Sequence, residues 1–130
     1  IVDGKTNHLI PLEFITRHYC AGSLDDRLKS GKIQPEEVGA KPGEIIAYGQ
    51  RLPSPYFEFS TKLEPVDRFL GVEQALEMAR MKPERLEEIK AQCLKIDNLI
   101  EDGLKGTNLI HVDGKKEFGY DKDSRLMIIE

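Results

Sequence analysis

The chain has 130 residues, 39% of them hydrophobic and 32% charged, which predicts one domain (residues 1–130) with a modest core. Its 23 acidic and 19 basic side chains leave a net charge of −4, without the basic excess of a general nucleic-acid binder. No apolar run reaches membrane-span length, no signal peptide is visible, and two cysteines are too few for a disulfide framework. A cytoplasmic protein with reduced thiols, touching neither membrane nor nucleic acid, is expected.

Leu9, Ile10, Leu12, Phe14, Ile15 and Tyr19 alternate or run together over residues 8–19, which predicts a strand. Ser23 is placed as N-cap of a short helix over Leu24–Lys29, with Asp25 and Asp26 in its first turn and Gly31 ending it. Residues 31–50 read as a long excursion with a hairpin around Ile45–Tyr48. Leu52-Pro-Ser-Pro55 is expected to interrupt regular structure before a strand over Tyr56–Thr61.

A short helix is predicted over Gly71–Met81, and Pro83 opens a longer one. Leu86, Ile89, Cys93, Ile96 and Ile100 recur at helical spacing and define its apolar face, and Gly103 and Gly106 are expected to stop it. Three extended segments follow at Asn108–Val112, Lys115–Tyr120 and Arg125–Glu130, the last two joined by a turn at Asp121–Ser124. The fold class is therefore α+β, a mixed or antiparallel sheet with helices packed on one face.

Two strand ends concentrate charge. Arg17-His-Tyr-Cys-Ala-Gly-Ser23 offers a guanidinium fork beside a small turn whose amides and hydroxyl can cradle an anion. Arg17 paired with Asp25 or Asp26 is the plainer reading. Val112-Asp-Gly-Lys-Lys-Glu-Phe-Gly119 sets cation and anion binders side by side, a mixture suited to a phosphorylated substrate and a nucleotide-bound metal. Asp113 and Lys115 flank a glycine and fall on one side of a strand; alone they are an ordinary exposed ion pair. Glu117 and Glu130 sit on consecutive strands of a hairpin, where Mg²⁺ would relieve their repulsion. From spacing alone they are more simply two solvated glutamates. Lys62 and Asp67, on the loop after a strand, read as surface charges. His8, His18 and His111 show no metal-ligand spacing, His111 reads as a strand-surface or edge residue, and Cys93 reads as core.

Pro11-Leu-Glu-Phe-Ile-Thr-Arg17, Ala21-Gly-Ser-Leu24, Leu52-Pro-Ser-Pro55, Thr61-Lys62, Asp67-Arg68 and Asp113-Gly-Lys-Lys-Glu-Phe-Gly119 occur in the order that resembles the phosphoribosylaminoimidazole-succinocarboxamide synthase (SAICAR synthetase) family. The likeness runs from about Leu9 to Glu130. It implies an ATP-dependent ligase of purine biosynthesis, with small-molecule substrates: a carboxyaminoimidazole ribonucleotide (CAIR), L-aspartate and ATP. By the same resemblance Arg17, Ser23, Lys62 and Asp113 bind substrate, Lys115 and Asp67 are catalytic, and Glu117 and Glu130 hold Mg²⁺. The family usually has Asp at the position of Glu130 and often Asn at that of His18. The resemblance names no residue for L-aspartate and leaves homo-oligomerisation open.

Family members extend further at both ends, with an N-terminal ATP lobe bearing a phosphate loop and a C-terminal tail. The chain opens at Ile1 and stops after the apolar run Leu126–Ile129, so it is expected to be the central piece of such an enzyme. The alternatives are an imidazole-nucleotide-binding module without its own ATP turnover and, setting the resemblance aside, a metal-dependent phosphotransfer domain.

Overall fold

A computed structural model describes residues 6–130; the first five residues of the predicted domain lie outside the described residues. Five strands form one sheet in the order β3-β2-β1-β4-β5: β1 His8–Tyr19, β2 Arg51–Thr61, β3 Phe69–Leu70, β4 Asp113–Tyr120 and β5 Leu126–Ile128. Every pairing is antiparallel, which resolves the expected mixed-or-antiparallel sheet. Three α-helices complete the fold: α1 Ser23–Lys29, α2 Val72–Ala79 and α3 Pro83–Leu104.

Because successive side chains of a strand point to opposite faces, the alternation along β1 gives the sheet two different faces. Ile10, Leu12 and Phe14 pack with Phe59, Phe118 and Tyr120 against Ala75 and Ala79 of α2 and Leu86, Ile89 and Cys93 of α3. The Phe14 ring stands edge-on to Phe59 and Phe118, with centroids 5.8 and 5.6 Å apart, the arrangement the aromatic quadrupole favours. A second, smaller core of Cys20, Leu24, Ile33, Val38, Ile46 and Leu52 seats α1 and the following excursion. Glu13 and Arg17 of β1 point away from α2 and α3, to the polar face.

Strand β1 and the Pro83 start of α3 fall where the sequence places them. Elsewhere the fold differs. Ser23 is the first helical residue and does not cap α1; Gly22 precedes it with φ 58°, a conformation that costs glycine little and other residues much. No hairpin forms at Ile45–Tyr48: the excursion holds a 3₁₀ turn at Pro35–Val38 and anchors Ile46 in the small core. Leu52–Pro55 does not break β2. The β1–β2 register passes from Arg17↔Tyr56 to Tyr19↔Arg51, so Pro53 and Pro55 sit in an irregular stretch where the ladder does not need their missing N–H groups.

Helix α3 runs through Gly103 to Leu104. Its buried face ends with Cys93 and Asp97, while Ile100 is 40% exposed. Residues 108–112 are not a strand, although the Val112 carbonyl accepts from the His18 and Tyr19 amides at 2.9 and 3.2 Å.

The helix-covered face also holds charge. Asp97 is 2% exposed and pairs with the buried Lys116 ammonium and with His18 Nε2, the latter at 2.8 Å. Removing one member of a buried pair strands the other charge, whereas replacing both by apolar groups can be neutral. Asp97→Ala is therefore expected to cost about 3–5 kcal/mol in denaturant unfolding, and the double change Asp97→Leu/Lys116→Met to recover most of it. Burial pushes the Cys93 thiol up to about 11, and burial with the Asp25 carboxylate raises Cys20. Both thiols should resist iodoacetamide at neutral pH until the protein is unfolded in denaturant. Rapid alkylation of the folded chain would contradict their placement.

Candidate functional site

On the sheet face turned away from α2 and α3, the register aligns polar residues of three strands. Arg17 lies opposite Asp113 and Tyr56, Ile15 opposite Lys115 and Glu58, and Glu13 opposite Glu117 and Ser60. The face therefore carries a charged row that continues through Arg27 of α1 at one end and Lys62 at the other.

The row is built from clasped pairs. Glu58, 5% exposed, is held between two guanidinium groups: Arg17 Nε donates to Oε2 at 2.6 Å, Arg27 Nη2 donates to the same oxygen at 2.8 Å, and Arg27 Nη1 donates to Oε1. Burial alone would lower the Arg27 guanidinium, but the hydrogen bond and charge of Glu58 outweigh it and raise it. With its Nε committed, Arg17 turns Nη2 to the Ser23 hydroxyl at 3.1 Å and Nη1 to Asp113 at 3.5 Å. The Arg17–Asp113 contact is long and its carboxylate half-exposed, so an incoming anion can displace it most cheaply.

At the other end Lys62 donates to Glu117 Oε2, and Lys115 Nζ lies 3.1 Å from Glu13, which also accepts from Ser60 at 3.1 Å. The hydrogen bond to Glu117 is the largest influence raising the Lys62 ammonium. That pair is present at neutral pH and, on the alkaline side, is lost as pH rises through the raised value. The predicted proximity of Glu117 and Glu130 holds at the backbone: the Glu117 amide donates to the Glu130 carbonyl at 2.7 Å, and the Ile129 amide to the Glu117 carbonyl at 2.8 Å. Glu130 is exposed and close enough for its charge to act on Lys62.

Arg17, Ser23 and Asp113 thus meet at one end, and Lys62, Glu117 and Glu130 at the other, with Lys115 between. Asp67 does not join them: it is exposed on the loop between β2 and β3, outside the ion-pair network. Arg17 pairs with Glu58, not with Asp25 or Asp26; Asp25 pairs with Lys29. Glu13, Arg27, Glu58 and Ser60 were not foreseen. Glu13 and Glu58 interrupt apolar strands on the same side as Arg17, but only the cross-strand register shows that they meet it. Nor was the meeting of His18, Asp97 and His111, whose ligand atoms lie within 4.8 Å of one another on the helix-covered side.

Oxygen donors from Glu117, Glu130 and Glu13, with a cation already drawn to Glu117, fit a hard dication such as Mg²⁺. At the opposite end a fork, a hydroxyl and the turn amides fit a phosphate. A β-sheet face with this division suits a ligand that is phosphorylated at one end and meets a metal-bound group at the other.

Residues 3–130 match the SAICAR synthetase family, and the chain belongs to that family. It is 45% identical over 127 residues to the phosphoribosylaminoimidazole-succinocarboxamide synthase of Thermoplasma acidophilum, covering 98% of this chain and 42% of that protein. It is 33% identical to the synthase of Cyberlindnera jadinii, covering 94% of this chain and 40% of that protein. A SAICAR synthetase solved in complex with ADP superimposes with a TM-score of 0.75 at 27% identity, over 94% of this chain and 46% of that one. The Saccharomyces cerevisiae SAICAR synthase complexed with SAICAR gives 0.72 at 29% identity, over 94% and 38%. The chain therefore spans less than half the length of these relatives.

Glu58→Gln should remove the charge that lets Arg17 and Arg27 lie together. Thermal and denaturant unfolding are expected to show a loss of about 3 kcal/mol. Added inorganic phosphate should restore more stability to this variant than to the unaltered chain, because an anion replaces the missing carboxylate. Equal phosphate effects in the two proteins would contradict the clasp.

Proposed function

We propose that this chain forms the substrate-binding sheet face of an ATP-dependent ligase that joins L-aspartate to the carboxylate of CAIR, giving SAICAR, ADP and phosphate. The observation that supports this most directly is the Arg17–Ser23–Asp113 cluster on the same face as Lys115, Lys62 and Glu117. Family membership supplies the reaction class, and the relatives named above supply ADP and SAICAR as ligands of this fold.

In this reading Arg17 Nη atoms and the Ser23 hydroxyl receive the ribonucleotide phosphate, and Asp113 accepts from a ribose hydroxyl once the phosphate has replaced it on Arg17. Glu58 keeps the Arg17 fork aimed outward. Lys115 sits where the imidazole carboxylate would lie and offsets its charge, a role suited to a compact ammonium. Asp67 is assigned near the reacting carboxylate through the family motif alone, and reaching it requires movement of the exposed loop. Glu117 and Glu130 would hold Mg²⁺, which when bound screens the triphosphate charge.

A carboxylate is a poor electrophile. A carboxylate oxygen of CAIR therefore attacks the γ-phosphorus of ATP, the bond to ADP breaks, and an acyl phosphate forms. The aspartate amine then attacks the acyl carbon and loses a proton, and phosphate leaves with the bonding electron pair. The residues on this face contribute positioning and fixed charge. A second reading is an imidazole-nucleotide-binding module without its own ATP turnover; the chain spans 42% of the Thermoplasma relative.

Calorimetric titration with CAIR and with Mg-ATP separates these readings. CAIR is expected to bind, with Arg17→Lys weakening it about tenfold or more through loss of the fork. Glu117→Gln should leave CAIR affinity within about twofold, since Glu117 lies at the other end of the row. CAIR binding without Mg-ATP binding would select the module reading. No CAIR binding, or equal binding by Arg17→Lys, would refute the substrate assignment.

A further inference from the structure

On the opposite side of the sheet from Glu117, His18 at the end of β1, Asp97 of α3 and His111 before β4 converge, and no step of the proposed reaction uses them. Their ligand atoms all lie within 4.8 Å of one another, with His18 Nε2 2.8 Å from Asp97 Oδ2. The two imidazole rings face each other at 5.4 Å, tilted by 43°. The geometry points to a binding site for a divalent transition metal, of which Zn²⁺ is the best match, held by His18, Asp97 and His111.

Several observations carry this. Two imidazoles and one carboxylate are the donor set that borderline metals take, whereas Mg²⁺ prefers oxygen alone. Zinc–ligand bonds of about 2.0–2.1 Å put tetrahedral donors about 3.3 Å apart, so small side-chain rotations suffice to bring these three to that spacing. Lys116 bonds Asp97 Oδ1 and leaves Oδ2 toward the histidines; it orients the carboxylate for one-oxygen coordination and blocks the bidentate mode.

His111 makes no hydrogen bond among the described residues, so its half-buried ring lies against His18 without a polar partner of its own. Gly114 keeps the place open: a Cβ there would come within 3.2 Å of both His111 Nε2 and Lys116 Nζ. His111 also lines a cavity of about 290 Å³ with Tyr19, Arg51 and Glu101, so the cluster borders open space on its His111 side.

A metal there would staple β1, α3 and the segment leading into Asp113. That segment is otherwise tied to β1 by the Val112 carbonyl bonds to His18 and Tyr19. The buried Lys116 ammonium opposes the dication, so the affinity belongs below that of closed structural zinc sites.

Co²⁺ titration of the full chain, followed by its visible absorption and by competition with Zn²⁺, is the test. One ion per chain giving the intense bands of a tetrahedral nitrogen–oxygen site is expected at neutral pH. His111→Ala should weaken the binding read by these bands more than about tenfold, while Glu117→Gln leaves the bands unchanged. His18→Asn, which keeps a side chain able to bond Asp97, serves as the second variant, and circular dichroism checks that each is folded. Absence of the tetrahedral Co²⁺ bands in the unaltered chain, undiminished bands in both folded histidine variants, or loss of the bands in Glu117→Gln would each overturn the assignment.

Discussion

The alternation along β1 organises the whole molecule. As the middle strand it pairs with β2 on one side and β4 on the other, and its twelve residues send apolar side chains to the helices and charged ones to the open face. A one-residue slip would turn Leu12 and Phe14 outward and bury Glu13 and Arg17 under α2 and α3, so burial and site geometry specify the same register. The core thereby aligns Arg17 with Asp113 and Glu13 with Glu117. Packing and chemistry cannot be separated in this strand.

Charge on the open face is compensated almost pair by pair: Glu58 with Arg17 and Arg27, Glu13 with Lys115, Glu117 with Lys62. Such pairing holds polar groups in place before any ligand arrives, which is what electrostatic preorganisation requires. The weakest link is the long contact between Arg17 and the half-exposed Asp113, and it lies where a phosphate would enter. On the helix side the Asp97 cluster plays a different part. Its ion pairs are buried with a histidine pair at their edge, and it joins α3 to the strand ends that present the open face.

Regular alternation and helix punctuation were legible in the sequence. β1 is a long period-two run, Pro83 opens α3, and Asp121–Ser124 turns β4 into β5. Legibility failed where isolated apolar residues anchor irregular chain, as Ile33, Val38 and Ile46 do in the small core. It failed again where tertiary pairing overrode a local rule, as at Pro53 and Pro55 in β2. Of the site, Arg17, Ser23, Asp113, Lys115, Glu117 and Glu130 were legible as charged strand ends and family motifs. Glu58 and Glu13 were not, because a glutamate within a strand reads as solvated until its cross-strand neighbours are known. The histidine pair was hidden for a simpler reason: its members and Asp97 come from three separate segments.

In the proposed function the open, charged sheet face receives a phosphorylated imidazole nucleotide at its Arg17 end. Amide NMR spectra of the chain during titration with CAIR test it most directly. Saturable shifts are expected at Arg17, Gly22, Ser23, Asp113 and Lys115, with Leu86, Ile89 and the rest of the α3 core face unmoved. Shifts centred on α3 and His111, or no saturable shifts at all, would contradict it.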